Sequence, residues 1–309
     1  MKKTYLVTGA AGFIGSMLAK RLLEFGNKVV TIDNLSTGFE TAIPEGVEFI
    51  NGGCHEYNVV KKLENREFDA IFHIAGQSSG EISFENPVYD LQTNTQSTIL
   101  LLELAKKINC KRFLYASTMS VYGDQPDNQI NEDTSLEPKS FYGVGKLASE
   151  HYLRIYQKYG INCTALRLFN VYGPGQNMKN IKQGMVSIFL AMALNDRKII
   201  VKGDKKRYRD FVYIDDVVEA FIKAMNSNII GVNTYNVCSG NKTTISILID
   251  SLLYNIPNDV EVEYNGRTPG DQFGIFGDNS HIKKELNWEP KIKLKAGLTL
   301  MYRWAIENI

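Results

Sequence analysis

The sequence carries almost no net charge, with 35 lysine and arginine residues against 34 aspartate and glutamate residues. A formal charge of +1 gives no general attraction to nucleic acid or to an anionic membrane surface. We therefore expect neither of these partners. An anionic ligand, if there is one, must be held locally by a few placed groups.

Cysteine is scarce, and its spacing excludes two kinds of site. The four cysteines are scattered along the chain, with no C-x-x-C pair and no short spacing to histidine. Zinc sites and redox pairs depend on such spacing, so we predict no metal and no redox pair. Isolated cysteines in an intracellular chain usually behave as small buried apolar residues.

Long apolar runs are also missing. Residues 1–16 lack the apolar stretch and the cleavage site of a secretory leader, and no segment is long and apolar enough to span a bilayer. The expected location is therefore the cytoplasm. What is present is ordinary for a globular chain: 309 residues, 44% apolar and 22% charged, correspond to one large domain or two modest ones.

Short apolar runs alternate with helical periods through the first half of the chain. The predicted strands are 4–8, 28–32, 68–74, 112–117 and 163–168, and the predicted helices are 13–25, 90–107 and 141–159. Strands that alternate with helices form parallel βαβ units, whose sheet is covered on both faces. The predicted fold class is therefore α/β, a Rossmann doubly wound parallel sheet with its site at the carboxyl ends of the strands.

The amino-acid composition changes after about Asn170, where glycine, proline, asparagine and lysine become frequent. A predicted helix at 185–194 is followed by short segments that are broken by turns. We predict a Rossmann domain over residues 1–169 and a smaller α/β substrate domain formed mainly by residues 170–309. Residues 207–240 are expected to pack back onto the first domain.

Three glycines follow the first predicted strand at the spacing G-x-x-G-x-x-G, namely Gly9, Gly12 and Gly15. The first permits a tight turn, the second lets the backbone approach a pyrophosphate, and the third lets helix and strand pack closely. Phosphates would meet free N–H groups and the positive end of the following helix. Asp33, at the end of the next strand, can accept hydrogen bonds from an adenosine ribose and would repel a 2′-phosphate, which favours NAD over NADP. The alternative is a tight turn that holds no ligand.

Tyr142 and Lys146 are four residues apart in a predicted helix, so their side chains share one face. A tyrosine hydroxyl ordinarily has a pKa of about 10. A fixed ammonium and a cationic nicotinamide nearby would favour the tyrosinate and make it a usable base near neutrality. Taken alone, the pair more often marks a solvated helix face. After a Rossmann loop and a hydroxyl-bearing strand end, the catalytic interpretation is favoured.

That strand end is the segment 115–123, in which Thr118 lies three residues before a Val-Tyr-Gly sequence. A hydroxyl at the carboxyl end of a central strand can hydrogen-bond the oxygen atom that is being oxidised. The alternative is a polar turn with capping hydroxyls, which is how most clusters of serine and threonine behave.

Together these segments resemble the extended short-chain dehydrogenase/reductase family, specifically its NAD-dependent sugar-nucleotide epimerases and dehydratases. The resemblance covers essentially the whole chain and rests on TGAAGFIGS, IDNLSTG, HIAGQSS, STMSVYG, YGVGK, LRLFNVYGPGQ, RDFVYIDDVVEA and RTPGD followed by LNWEP. It implies an NAD-binding Rossmann domain and a smaller C-terminal domain that grips a nucleotide-diphosphate sugar. It also implies a homodimer formed through two helices of each subunit.

The resemblance also implies roles at the matching positions. The cofactor-binding set comprises Gly9, Gly12, Phe13, Ile14, Gly15, Asp33, Asn34, Ala75, Gly76, Gln77, Tyr142 and Lys146. The catalytic set comprises Thr118, Tyr142 and Lys146, and the substrate-binding set comprises Thr118, Asn170, Arg209 and Arg267. Arg267 lies four positions before Asp271, whereas the corresponding arginine of the family often lies three before. Residues 51–54 also depart from the usual acidic pattern that contacts adenine.

Members of the family share a first step, in which the tyrosine takes a sugar hydroxyl proton while hydride passes to NAD, giving a keto sugar. Dehydratases commonly carry an Asp-Glu pair after the threonine, and decarboxylases tend to have a glutamate there. Met119 and Ser120 occupy these positions, so both reactions are disfavoured. Epimerisation needs no further acid or base, because the keto sugar turns and hydride returns to its other face. We therefore expect a 4-epimerase of a UDP-sugar.

Other functions stay open at this point. A nucleotide-sugar 4-dehydrogenase, acting on a UDP- or GDP-linked hexose or heptose, would use the same residues and release the keto product. Residues 78–81, which include Glu81, are candidates for deciding between it and an epimerase. A 4,6-dehydratase is disfavoured by Met119 and Ser120. A non-catalytic NAD-binding scaffold has no chemical need for the intact Thr–Tyr–Lys set.

Overall fold

The computed structural model describes residues 2–180, 184–257, 259–266 and 272–308. Its strands are β1 (Thr4–Thr8), β2 (Lys28–Asp33), β3 (Glu48–Asn51), β4 (Ala70–His73), β5 (Arg112–Thr118), β6 (Asn162–Leu168), β7 (Asn170–Tyr172), β8 (Lys198–Lys202), β9 (Tyr208–Arg209), β10 (Phe211–Tyr213), β11 (Val232–Val237), β12 (Thr243–Thr244) and β13 (Glu261–Asn265). Its helices are α1 (Phe13–Glu24), α2 (Tyr57–Val60), α3 (Gly80–Glu85), α4 (Pro87–Leu91), α5 (Ser97–Lys107), α6 (Phe141–Tyr156), α7 (Met185–Asn195), α8 (Ile214–Asn226), α9 (Ile245–Leu253), α10 (Ser280–Leu286) and α11 (Leu294–Asn308).

Seven strands form one parallel sheet in the order β3-β2-β1-β4-β5-β6-β11. The chain runs outward from β1 to β3 and then continues from β4 in the opposite direction, so the strand order reverses between β1 and β4. Ligands of open α/β sheets bind outside the carboxyl ends of the strands at such a point. The predicted fold class, a Rossmann doubly wound parallel sheet, is confirmed.

The predicted elements of the first half are present, and the structure adds the short helices α2 and α3, which were not predicted. The helix expected over 90–107 begins earlier, at Pro87, because the Asn86 side chain caps it by accepting from the Tyr89 N–H at 3.1 Å. A wider π-helical turn at Gln92–Gln96 joins α4 to α5. The edge strand β3 was not predicted, because two of its four residues are exposed and its apolar pattern is weak.

The sheet separates two layers of helices, and alternate side chains of each central strand point into different layers. In β1, Tyr5 and Val7 pack with α1 and α8, whereas Leu6 packs with α5 and α6 on the other face. Such buried apolar side chains each contribute about 1.5–3 kcal/mol to folding. The parallel strands therefore fix the positions of the loops at their carboxyl ends.

The second half of the chain returns to this sheet before it forms the rest of the fold. Strand β11 pairs with β6 along its whole length, and α8 covers the same face as α1. Helices α7, α9, α10 and α11 pack into the same apolar cluster as that face, together with the fully buried Trp288. The domain limits given above stay a prediction. Within the described ranges, no helix is long and apolar enough to cross a membrane.

Candidate active site

The turn between β1 and α1 is built by glycine. Gly9 has a φ of +78°, and a Cβ atom at this position would lie 2.9 Å from the Ala75 nitrogen. A Cβ atom at Gly15 would collide with the Gly9 carbonyl, so the helix begins directly against the turn. No side chain caps the first turn of α1. Its N–H groups and the positive end of the helix dipole are therefore available to an anion.

Asp33 ends β2 beside this turn. Its Oδ2 accepts from the Ala11 N–H at 2.9 Å, and its Oδ1 accepts from the Leu35 N–H at 2.8 Å. Two backbone donors hold the carboxylate in place, and each oxygen keeps a further lone pair for a hydroxyl group. The arrangement suits recognition of a ribose diol and opposes a phosphate at the same point.

A cavity of about 910 Å³ opens over these loops. Its lining contains ten of the twelve predicted cofactor-binding residues, namely Gly9, Gly12, Phe13, Ile14, Gly15, Asp33, Asn34, Ala75, Gly76 and Gln77. The structure thus brings together three segments that lie far apart in the sequence. Tyr142 and Lys146, the other two, are not among the lining residues.

The loop after β4 forms the inner edge of the cavity. The Thr8 hydroxyl accepts from the backbone N–H groups of Ile74 and Ala75, each at 3.1 Å, and so ties this loop to β1. A Cβ atom at Gly76 would lie 3.4 Å from Lys146 Nζ. The lysine head therefore lies directly behind the cavity wall, and the tyrosine is on the same helix.

Helix α6 carries Tyr142 and Lys146 on one buried face. Ser140 caps the helix by accepting from the Gly143 N–H at 3.1 Å. Lys146 Nζ donates to the Ala116 carbonyl at 2.9 Å and lies 5.8 Å from the centroid of the Tyr142 ring. Tyr142 is 9% exposed and Lys146 is 3% exposed, so neither belongs to a solvated helix face.

Burial governs the proton affinity of both groups. It raises the pKa of Tyr142 to about 12, where a side-chain hydrogen bond with Thr118 acts in the opposite direction. It lowers the pKa of Lys146 to about 8, and the negative charge of Asp90 opposes that change. The phenol is therefore protonated at neutral pH, and the ammonium still holds its proton.

Thr118 ends β5, and its hydroxyl group interacts with the Tyr142 side chain. Its Oγ1 accepts from the Ser120 N–H at 3.1 Å and lies 3.2 Å from the Ser120 hydroxyl. Met119 and Ser120 form a short turn directly after it. The site thus offers hydroxyl groups and a thioether here, and no carboxyl group at these two positions.

The predicted diphosphate contacts lie on a second side of the site. Asn170 begins β7, and its Nδ2 donates to the Asp210 carbonyl at 3.0 Å and lies 3.5 Å from Met119 Sδ. Arg209 is 3% exposed and donates to the carbonyls of Tyr208 and Gln272, each at 2.7 Å. Arg267 lies outside the described residues. Asn170 is thus joined to the turn after Thr118, and Arg209 to the chain that directly follows residues 267–271.

Sequence reasoning missed two polar side chains of the centre. Asp90 and Asn94 are both at most 1% exposed and bond to the Gln77 side chain and carbonyl respectively. A polar residue in an apolar helix pattern was the only signal for either. The cavity also takes lining from Gly175–Asn180, of which Gly175 and Gln176 end the LRLFNVYGPGQ segment, and from Trp304 and Asn308 on α11, which no motif indicated.

Fold and site together define a class of protein: a dinucleotide-binding α/β enzyme with a buried Tyr–Lys pair beside the cofactor groove. Comparison with known proteins agrees with this class. The model of the NAD dependent epimerase/dehydratase family matches residues 5–238.

Similar proteins cover nearly the whole chain. A UDP-glucose 4-epimerase of Mycolicibacterium smegmatis is 33% identical over 300 residues, which are 95% of each chain. UDP-glucuronic acid decarboxylase 3 of Arabidopsis thaliana is 33% identical over 303 residues, which are 96% of this chain and 87% of that protein. A crystal structure of a UDP-glucose 4-epimerase of Thermotoga maritima with UDP-glucose has a TM-score of 0.94 at 33% identity, covering 98% of this chain and 99% of that one.

The chain therefore belongs to the NAD dependent epimerase/dehydratase family. The resemblance found in the sequence is confirmed, as are the predictions of an enzyme and of NAD as its cofactor.

Proposed function

We propose that this chain is an NAD-dependent 4-epimerase that acts on a UDP-sugar through a transient 4-keto sugar. The observation that carries the proposal is the buried group of Thr118, Tyr142 and Lys146. The two residues directly after Thr118, Met119 and Ser120, carry no acid. Relatives named as UDP-glucose 4-epimerases match along nearly the whole chain and support the same activity.

The cofactor groove fits a dinucleotide. Its volume of about 910 Å³, its uncapped helix end and the glycine turn that a Cβ atom would obstruct match a pyrophosphate with two nucleosides. Residues 9–15 would hold the pyrophosphate, Asp33 and Asn34 the adenosine ribose, and Lys146 the nicotinamide ribose. When bound, NAD supplies the acceptor and donor of a hydride.

Tyr142 is the proton-transfer group of this proposal. In its phenolate form, Tyr142 accepts the proton of the sugar 4-hydroxyl as C4 gives up its hydrogen as hydride to the acceptor that NAD would supply, and C4 becomes a carbonyl carbon. The same proton returns to the oxygen once C4 is reduced from its other face. The Thr118 hydroxyl orients the sugar oxygen, and Lys146 favours the anionic form of the phenol by its charge.

We propose that polar side chains of this chain bind the diphosphate of the substrate. A guanidinium group presents a planar fork that suits phosphate oxygens, and Arg209 is held rigidly by backbone carbonyls. The Asn170 side chain contacts Asp210, which follows this arginine in the chain, and Met119 in the turn after Thr118. We assign these two residues and Arg267 to the diphosphate of the nucleotide sugar.

A homodimer and a cytoplasmic location belong to the same proposal. Exposed apolar side chains gather on α3, α4 and the outer face of α6, namely Phe84, Val88, Leu91, Phe141, Val144 and Ile155. The Phe84 and Phe141 rings lie 5.5 Å apart, so the patch is continuous between two elements. All four cysteines are buried free thiols, which suits a reducing compartment.

Turnover of candidate sugars tests the activity. The protein is incubated with NAD and one nucleotide sugar at a time, and the products are identified by NMR. The four sugars are UDP-glucose, UDP-galactose, UDP-glucuronic acid and UDP-N-acetylglucosamine. We expect interconversion of C4 epimers without net NADH. Accumulation of a keto sugar with stoichiometric NADH would instead establish the 4-dehydrogenase.

A Tyr142→Phe variant tests the assigned base. Loss of a positioned general base costs about 10²–10⁴-fold in rate, so we expect kcat to fall by that amount. Tyr254→Phe, at a tyrosine that is 84% exposed, is the matched control and should retain wild-type kcat. Wild-type turnover by Tyr142→Phe would refute the assignment.

A further inference from the structure

One buried carboxylate near the Tyr–Lys pair has no part in the mechanism above. Asp90, in α4, is 1% exposed. Its Oδ1 accepts from Gln77 Nε2 at 2.7 Å and from Asn94 Nδ2 at 3.1 Å. Its Oδ2 is buried and has no hydrogen-bond partner within the described part of the chain.

The location of Oδ2 relates it to the site. A Cβ atom at Gly145 would lie 3.5 Å from Asp90 Oδ2, so this oxygen lies against the turn of α6 that carries Lys146. An unpaired buried carboxylate oxygen is energetically unfavourable, because it has lost its hydrogen bonds to water. A nearby positive charge would stabilise such a group.

The titratable groups near Lys146 lie on β4, β5 and α6, and helix α3, which packs against α4, carries Glu81 and Glu85. His73 of β4 and Tyr115 of β5 are uncharged, because burial lowers the pKa of the histidine and raises that of the tyrosine. Tyr142 of α6 is also protonated, and Glu150 further along α6 is paired with Arg167 at 2.7 Å. Among these groups, Lys146 is the charge left to balance Asp90.

We propose that Asp90 is a positioning residue of the catalytic centre, whose carboxylate fixes the amides of Gln77 and Asn94 and whose negative charge keeps Lys146 protonated beside Tyr142. The proposal rests on the proposed function for its consequence in catalysis. The effect of the Asp90 charge on Lys146 does not depend on which reaction the chain catalyses.

The charge of Asp90 acts in the same direction on both partners. It raises the pKa of Lys146, because it stabilises the ammonium, and it raises the pKa of Tyr142, because it opposes the phenolate. Lys146 in turn lowers the pKa of Asp90, which burial raises. Removal of the carboxylate charge should therefore lower the pKa values of Tyr142 and Lys146 together.

Asp90→Asn keeps the shape of the side chain and removes its charge. In the pH dependence of kcat, we expect both the acid limb and the alkaline limb to move to lower pH, with about a tenfold loss at alkaline pH for each unit of displacement. A purely structural role would lower kcat and leave both limbs in place. Asp90→Glu keeps the charge and should keep the limbs of the wild type even where kcat falls.

Asp216→Asn is the matched control. Asp216 is likewise a buried carboxylate, and it accepts from the backbone N–H groups of Lys291 and Ile292 at 3.0 and 3.1 Å, away from the Tyr–Lys pair. We expect this variant to be less stable and to retain both limbs. If it moves them as Asp90→Asn does, the effect is not specific to Asp90 and the proposal is overturned.

A second readout needs no substrate. In protein labelled at lysine Nζ with ¹⁵N, NMR follows the titration of Lys146, assigned with Lys146→Arg. We expect Asp90→Asn to lower this pKa; an unchanged titration overturns the proposal even if the epimerase assay succeeds. If Asp90→Asn and Asp90→Ser both fail to fold, Asp90 is structural and the proposal is also overturned. The NMR titration can be measured even if the chain has no epimerase activity. Failure of the proposed function and failure of the role given to Asp90 are therefore distinguishable.

Discussion

At Tyr142 and Lys146, burial moves the two pKa values in opposite directions. The sequence suggested that an ammonium and a cationic nicotinamide together would favour a tyrosinate near neutrality. In the structure, the Lys146 head donates to the Ala116 carbonyl and lies 5.8 Å from the centroid of the phenol ring, and desolvation by burial has the largest effect on the pKa of Tyr142. The phenol therefore keeps its proton until a positive nicotinamide ring is placed beside it.

Asp33 should decide between the two nicotinamide dinucleotides. Because its carboxylate is held by two backbone N–H groups, it cannot turn away from a 2′-phosphate. We expect calorimetry to show NAD binding at least about tenfold tighter than NADP, a difference of about 1.4 kcal/mol. Asp33→Asn should reduce this ratio mainly by improving NADP binding.

The control for this measurement is Asp69→Asn, whose carboxylate bonds the Thr4 N–H at the opposite end of β1. It should leave the ratio of the two dissociation constants unchanged. Equal affinity of the wild type for NAD and NADP would contradict the role given to Asp33.

At the scale of elements, helix α6 has two working faces. Its inner face carries Tyr142 and Lys146, and its outer face carries Phe141, Val144 and Ile155, each about half exposed. Helix α4 adds Val88 and Leu91 beside it. Subunit association through these helices would bury the apolar patch directly behind the site, which links assembly to the placement of the Tyr–Lys pair.

Charges on that patch should prevent association. In Val88→Glu/Leu91→Glu, two carboxylates would have to be buried without partners. We expect light scattering to find a dimer for the wild type and a dissociation constant at least about a hundredfold weaker for the variant, or about 2.7 kcal/mol.

Leu300→Glu/Ile306→Glu places the same charges on exposed apolar positions of α11 and should remain dimeric. A monomeric wild type, or a double variant of α4 with unchanged mass, would show that these helices do not form the interface.

At the scale of the whole molecule, one apolar core joins the two halves of the chain. The cluster that contains Tyr5 and Val7 of β1 also contains Leu248 of α9 and Trp288. The Trp288 indole donates to the Asp216 carbonyl in α8 at 2.8 Å, which adds a directional link between the C-terminal region and the sheet layer. Cooperative unfolding follows from such continuity.

Unfolding should therefore occur in one transition. Both tryptophans, Trp288 and Trp304, lie in the C-terminal region, so their fluorescence reports on that region, whereas circular dichroism reports on all helices. We expect the two signals to give the same midpoint in urea. Distinct midpoints would mean that the C-terminal region unfolds independently of the sheet.

The sequence predicted the glycine turn because its cause is local. Gly9 needs a positive φ, and Gly15 must lie against the Gly9 carbonyl, within one strand–turn–helix unit. Asn94 and Asp90 could not be found in the same way. They reach the site because the parallel order of β4 and β5 places α4 and the wider turn after it against α6, some fifty residues further along the chain.

By itself, the sequence determined the alternation of strands and helices in the first half, the cofactor turn and the Tyr–Lys pair, because periodicity, glycine sterics and helical spacing act over a few residues. Only the tertiary structure decided which distant groups surround that pair and which are shielded from water. Proton affinity depends on burial and on charges that come from separate elements, so the low pKa of Lys146 and the placement of Asp90 beside it exist only in the folded chain.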